Sequence, residues 1–261
     1  MTTAAIVQAR SPSQFDESLI LQDLGEKTAL IRTLDRCAEI PGIDLVICAI
    51  PDSEADTQLA LEILRNGHLL SVGPGDDLLA NCAFAAEDFG VETIVSINSA
   101  NPFIDPQICG RVLRLFRDSR ADFACNDMPR LFPAGLECSV FSSLLMAEAN
   151  RVARDGAERA SVTRWMREHA LLQKANLRGP GSGLEGLDWR LADAEGLDLC
   201  QAIFDEIGEA AATASAAELA ALCLRRPDLT RARKISGRNA APVLRLTADI
   251  ETAVASLKIA A

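Results

Sequence analysis

The chain has 261 residues, 49% of them hydrophobic and 24% charged, with a formal net charge of −11. That charge argues against a nucleic-acid partner, because phosphate backbones are bound by basic surface. With no tyrosine and few phenylalanines there is no aromatic platform for single strands either. No basic stretch leads into a long apolar one, and no apolar run reaches the ~18 residues of a membrane span. The expectation is a cytoplasmic protein with no membrane partner, large enough for one big α/β domain or a domain with an appendage.

The first element is an apolar strand, Ala4–Ala9, which ends in Gln8-Ala9-Arg10 and opens into the polar loop Ser11-Pro12-Ser13-Gln14-Phe15-Asp16-Glu17-Ser18. In open α/β sheets ligands bind beyond the carboxyl ends of strands, so this loop marks a candidate site. The loop is acidic and contains no lysine, an odd composition for a triphosphate cradle. The spacing then predicts a helix over Lys27–Glu39, stopped by Pro41-Gly42. The continuous apolar run Leu45–Ile50 reads as a strand covered on both faces. Asp52 or Ser53 can cap a helix that runs to Asn66-Gly67.

Leu69–Val72 reads as a short strand, and Gly73-Pro74-Gly75 as a turn into a helix ending near Phe89-Gly90. Glu92–Ile97 is the next strand. Asp105 followed by proline is a strong helix start, with Ile108, Val112, Leu115 and Phe116 as its apolar stripe. Asp122–Cys125 is a further strand. After Asn126 the alternation changes. A strand is expected at Leu136–Phe141, helices at 142–154 and 160–173, and a flexible glycine-rich loop at Gly179–Gly183. A return strand at Leu187–Leu191, a helix at Gly196–Glu209, an alanine-rich helix at 210–224 and a last helix at 248–258 complete the reading. Repeated strand-helix-strand units with short loops imply a mostly parallel, doubly wound sheet. The division expected is an α/β domain over 1–209 and a helical extension over 210–261.

The eight cysteines form no CxxC pair and sit mainly in apolar runs, so they read as small buried hydrophobes. Gly73-Pro74-Gly75 lacks the third glycine of a dinucleotide loop, which argues against a dinucleotide-dependent oxidoreductase. His68 and His169 have no triad partner nearby in sequence, and His68 reads as a surface residue at a helix end.

The segment Ile94-Val95-Ser96-Ile97-Asn98-Ser99-Ala100-Asn101-Pro102-Phe103-Ile104-Asp105-Pro106 runs from a central strand through a polar loop into a capped helix. Joined to Ile6-Val7-Gln8-Ala9-Arg10 with Ser13, Leu24-Gly25-Glu26-Lys27, Ala49-Ile50-Pro51-Asp52-Ser53, Asn126, Pro133-Ala134-Gly135-Leu136, Val162-Thr163 and Leu191-Ala192-Asp193, it makes residues 4–230 resemble the cytidylyltransferases that form CMP-activated sugars. Within them the chain is most similar to the spore-coat polysaccharide type. The resemblance implies a Rossmann-like, glycosyltransferase-A-type mixed sheet flanked by helices. It also implies a site for CTP, CMP or a nucleotide sugar, with Gln8, Ala9, Arg10, Ser13, Asn101 and Asn126 as nucleotide-binding positions. Asp193 would be a ligand of Mg²⁺, and a homodimer would form through an insertion at about 127–165.

The family's reaction is attack of a sugar hydroxyl on the α-phosphate of CTP, which needs cations and a carboxylate-held metal around the leaving pyrophosphate. This chain departs from the pattern at the positions that would supply them. The first loop's arginine and lysine are Phe15 and Leu19, and a strand arginine is Ser96. The usual metal aspartate is Ala100. Pro-Arg-Gly-Leu-Asp-x-Glu reads Pro133-Ala134-Gly135-Leu136-Glu137-Cys138-Ser139, and Glu-His-Val-Thr reads Ala160-Ser161-Val162-Thr163. Removing a lysine and an arginine from a triphosphate site costs several kcal/mol, at ~1.5–3 kcal/mol per charged hydrogen bond. Two expectations follow: a cytidylyltransferase-like protein of surface-glycan synthesis with impaired turnover, or a non-catalytic scaffold of the same fold that binds a partner enzyme or a nucleotide sugar.

Overall fold

The computed structural model describes residues 1–10, 18–75 and 77–231. In chain order the strands are β1 (Thr3–Gln8), β2 (Asp23–Leu24), β3 (Lys27–Thr28), β4 (Leu45–Pro51), β5 (Leu69–Gly73), β6 (Thr93–Asn98), β7 (Phe123–Cys125), β8 (Ser139–Ser142) and β9 (Lys174–Asn176). The helices are α1 (Ala29–Ala38), α2 (Thr57–Arg65), α3 (Leu78–Asp88), α4 (Pro106–Ser119), α5 (Ser143–Val152), α6 (Gly156–Arg159), α7 (Arg164–Glu168), α8 (Ala194–Ile207), α9 (Ala216–Arg225) and α10 (Pro227–Arg231).

Seven strands form one sheet in the order β5-β4-β1-β6-β8-β7-β9, while β2 and β3 form a separate hairpin. The pairs β5–β4, β4–β1, β1–β6 and β7–β9 are parallel, and β8 runs antiparallel to both β6 and β7. This is the mostly parallel mixed sheet expected from the strand-helix alternation.

Successive side chains of a strand point to opposite faces, and here that alternation builds two cores. Ala5 and Val7 of β1, Cys48 and Ile50 of β4, and Val95 and Ile97 of β6 face a layer made by α1, α2, α4, α8 and α9. Ala4 and Ile6, Ile47 and Ala49, and Ile94 face the opposite layer of α3, α5 and α7. Burial on both faces explains why β1 and β4 read as unbroken apolar runs.

The expected caps form. Asp105 accepts the N–H groups of Gln107 and Ile108 at 2.9 and 3.0 Å, and Ser53 accepts from Ala55 at 3.2 Å, capping the 3-10 turn Glu54–Asp56 that leads into α2 rather than α2 itself. The eight cysteines are all buried and free. Among the described residues no helix is long and apolar enough to cross a membrane.

Several local expectations fail where tertiary contacts take over. Of the helix expected over 160–173 only the short α7 at Arg164–Glu168 forms, with α6 ending before it at Arg159 and β9 following at 174–176. The break falls at Ser161-Val162-Thr163, where β-branched and hydroxyl side chains are poor helix formers. Leu187–Leu191 is no strand. It makes a single parallel bridge from Asp188 to Ala134, flanked by hydrogen bonds from Ala134 N to Leu187 O and from Trp189 N to Ala134 O, both 2.9 Å.

The 210–224 helix is interrupted, and a capping box of Ser215 and Glu218 restarts it as α9. The glycine-rich stretch is packed: a Cβ on Gly179 would lie 2.6 Å from the carbonyl carbon of Leu131. His68 is not a surface residue. Its side chain is 14% exposed, and Nε2 lies 3.1 Å from Asp35. The helix expected at 248–258 lies outside the described residues.

Candidate functional site

A cleft of about 800 Å³ opens where the carboxyl ends of β1 and β6 meet the start of β8. Gln8, Ala9 and Arg10 form its floor on one side, and Ser96, Asn98, Ser99, Ala100 and Asn101 continue it. The two loops are tied together, since Ser99 N donates to Gln8 O at 3.1 Å and the Gln8 amide donates to Ser96 Oγ at 3.2 Å. Within the second loop, Ala100 N donates to Asn98 Oδ1 at 2.9 Å. Thr33 of α1 supports it from below, its hydroxyl donating to Ser99 O at 3.1 Å. Leu191 N donates to Ala100 O at 2.9 Å and brings the 190–192 segment to the rim.

The opposite wall comes from the segments following β7 and α6. Asp127, Glu137, Cys138, Ser139, Ala160–Thr163 and Arg167 all line the cleft. Asp77 helps hold this wall in place. It caps α3 through Ala80 N at 2.9 Å and pairs with Arg159, which also binds the carbonyl and side chain of Asn150.

The predicted site residues do not all meet here. Gln8, Ala9, Arg10 and Asn101 line the cleft, whereas Ser13 lies outside the described residues. Asn126 is absent from the lining. It is buried, donates to Leu136 O at 2.7 Å and accepts from Cys138 N at 3.0 Å, so its amide fastens the loop that carries Glu137 and Cys138. Asp193 follows Ala192 on the rim and caps α8, accepting from Gly196 N at 2.8 Å. His169 lies against Trp165 with ring centroids 4.6 Å apart and the planes tilted by 50°, and it does not reach the cleft lining.

Sequence reasoning missed Asp127, Arg167 and Arg190 altogether. No local spacing marks them as site residues, because the segments that meet at the cleft lie far apart in the chain, as with Arg167 and Asp127. Arg190 holds Asp188 through two hydrogen bonds of 2.9 and 2.7 Å. Glu137 accepts from Gly135 N at 2.7 Å, and burial pushes its carboxyl above the usual carboxylate range.

The positions that depart from the cytidylyltransferase pattern share one location. Leu19, Ser96, Ala100, Ser139, Ala160 and Ser161 all face the cleft. Ala134 is the exception, fully buried beside Trp189. Phe15 lies outside the described residues.

The donor set does not fit a divalent cation, which needs several converging carboxylate or carbonyl oxygens. Asp127 is bonded to Arg167 at 2.8 Å, Glu137 faces Arg130 at 3.9 Å, and Ala100 presents a methyl group. Among the described residues no three His, Cys, Asp or Glu side chains come together as a metal site.

No family model matches the chain. In sequence it is 23% identical over 236 residues to the spore coat polysaccharide biosynthesis protein SpsF of Bacillus subtilis (strain 168), covering 88% of this chain and 97% of that protein. In structure it is similar to a cytidylyltransferase from Leptospira borgpetersenii, with a TM-score of 0.83 and 19% identity over 91% of this chain and all of that one. It also resembles the CMP:2-keto-3-deoxy-manno-octonic acid synthetase that was solved with CTP, with a TM-score of 0.52 and 11% identity over 69% of this chain and 92% of the other. The sequence relative spans nearly the whole chain, and the chain shares the fold of the cytidylyltransferase structure.

Proposed function

We propose that the chain binds a cytidine nucleotide or a nucleotide sugar in this cleft, within a glycan-synthesis pathway, and transfers CMP poorly or not at all. One observation carries the reading: an intact cleft at the nucleotide end of the sheet, lined by uncharged residues at the positions where the family pattern has charges. Hydrogen-bonding groups remain in Gln8, Asn98, Ser99 and Asn101. The charge that would stabilise a leaving pyrophosphate is what has gone.

Calorimetry with CTP and CMP, with and without Mg²⁺, tests the proposal, together with an assay for pyrophosphate release in the presence of sugar acids. The expected result is CMP or nucleotide-sugar binding that Mg²⁺ does not strengthen, with no pyrophosphate release. Metal-dependent CTP binding in the micromolar range with pyrophosphate release would overturn the impaired reading. No binding at millimolar nucleotide would overturn the ligand reading.

A further inference from the structure

We propose that Arg167 is the oxyanion-binding residue of this cleft. It would take the phosphate of a cytidine nucleotide or the carboxylate of a sugar acid without a divalent metal. The proposal rests on the cleft being a nucleotide or nucleotide-sugar site.

Arg167 lies on α7, and its guanidinium joins three segments of one wall. Nε donates to Thr163 Oγ1 at 2.9 Å, one terminal nitrogen to Asp127 Oδ1 at 2.8 Å, and the other to Ser139 Oγ at 2.9 Å. The guanidinium carbon stands over the Phe123 ring, 5.5 Å from its centroid. The side chain is therefore held before any ligand arrives, so little rotamer freedom remains to be lost on binding. It is nevertheless 25% exposed, and the exposure is on the cleft.

A guanidinium carries five N–H donors. Three are committed here, which leaves one on each terminal nitrogen without a partner among the described residues. Two donors on neighbouring nitrogens suit two oxygens of a phosphate or carboxylate. The surroundings do not compete strongly. Ser139, Ser161 and Thr163 add hydroxyls rather than charges, and the two other lining cations, Arg10 and Arg190, equal the lining anions Asp127 and Glu137 in number. Asp127 is the neighbour that works against an incoming anion, because it shares the same guanidinium.

That arrangement makes two substitutions act in opposite directions. Arg167→Met removes the donors, and Asp127→Asn removes the competing charge. Calorimetric titrations of cytidine, CMP, inorganic pyrophosphate and glucuronate against the full chain and each variant read the effect. Arg167→Met should weaken the oxyanion ligand by about 10- to 100-fold, the strength of charge-assisted hydrogen bonds. Asp127→Asn should tighten it by about 3- to 10-fold. Cytidine, which carries no oxyanion, should be unaffected by both.

If CMP and pyrophosphate respond, the phosphate is the group held. If only glucuronate responds, the carboxylate is. A purely structural Arg167 would give parallel losses for cytidine and CMP in both variants, and that result overturns the proposal. So does an unchanged oxyanion affinity in Arg167→Lys and in a folded Arg167→Met protein, or no binding of any oxyanion at millimolar concentration by the unaltered chain. Failure of the nucleotide reading is recognised separately, as glucuronate binding that follows these signs while cytidine and CMP do not bind.

Discussion

Arg36 of α1 is one of the residues that fasten the segment between α8 and α9 to the rest of the fold, and Arg36→Met tests that attachment. The residue is 4% exposed, and its guanidinium donates to Ile104 O at 2.6 Å, Ala212 O at 2.8 Å and Ala214 O at 2.8 Å. Two of these bonds, to Ile104 and Ala214, are wholly buried, and hydrogen bonds to charged groups contribute about 1.5–3 kcal/mol each. Taken alone they sum to about 3–6 kcal/mol. Burial of the cation opposes this, and it pulls the Arg36 pKa below its ordinary value, with Asp105 working in the other direction.

Methionine relieves that desolvation cost while leaving carbonyls unpaired, so the net loss should be about 2–4 kcal/mol. Asp105 is not stranded by the change, because it still accepts from Gln107, Ile108 and Ala216. Urea denaturation followed by tryptophan fluorescence measures the loss. Limited proteolysis should show new cleavage within 208–216, where the 3-10 turn at Gly208–Ala212 leads to the α9 cap at Ser215. A loss under about 1 kcal/mol, the range of an ordinary surface change, would refute the reasoning.

Gly179→Ala should destabilise by about 1–3 kcal/mol in the same assay, since its Cβ meets backbone that cannot move aside, and a neutral result would mean the 179–183 stretch is loose after all. Glu137→Gln keeps an acceptor for the Gly135 N–H but removes a titration. The folded carboxyl holds its proton to higher pH than the unfolded one, so stability should fall as pH rises above the usual carboxylate range in the unaltered chain, and denaturation curves of the variant should lack that slope. Glu209 has the opposite sign. The Glu26 N–H and Arg32 lower its pKa, so its stabilisation is present above the unfolded carboxylate value and lost as pH falls through the folded one, a loss that Glu209→Gln should abolish. Phe15→Arg, Leu19→Lys and Ala100→Asp together should strengthen Mg·CTP binding in calorimetry, and a folded triple variant that gains nothing would show the site to be misplaced.

The site was legible only in part. Gln8-Ala9-Arg10 and Asn98–Asn101 begin at the last residues of central strands, so their place at the mouth of the cleft follows from the apolar runs before them. Asn126 resembles a site residue in sequence, yet its amide is spent on Leu136 and Cys138. Side chains of the far wall carry no local mark. Arg167 lies 40 residues from Asp127 and 28 from Ser139, and only the packing of α7 against β7 and β8 brings them together.

Local chemistry by itself therefore determined the strands covered on both faces, the Asp105 and Ser53 caps, and the order in which the parallel units follow one another. Those features depend on side-chain period and on backbone groups a few residues away. Tertiary structure alone decided the reversal of β8, the addition of β9 and the convergence of the cleft wall. Each of these exchanges a short-range preference for contacts between distant segments, and no window of sequence contains both partners.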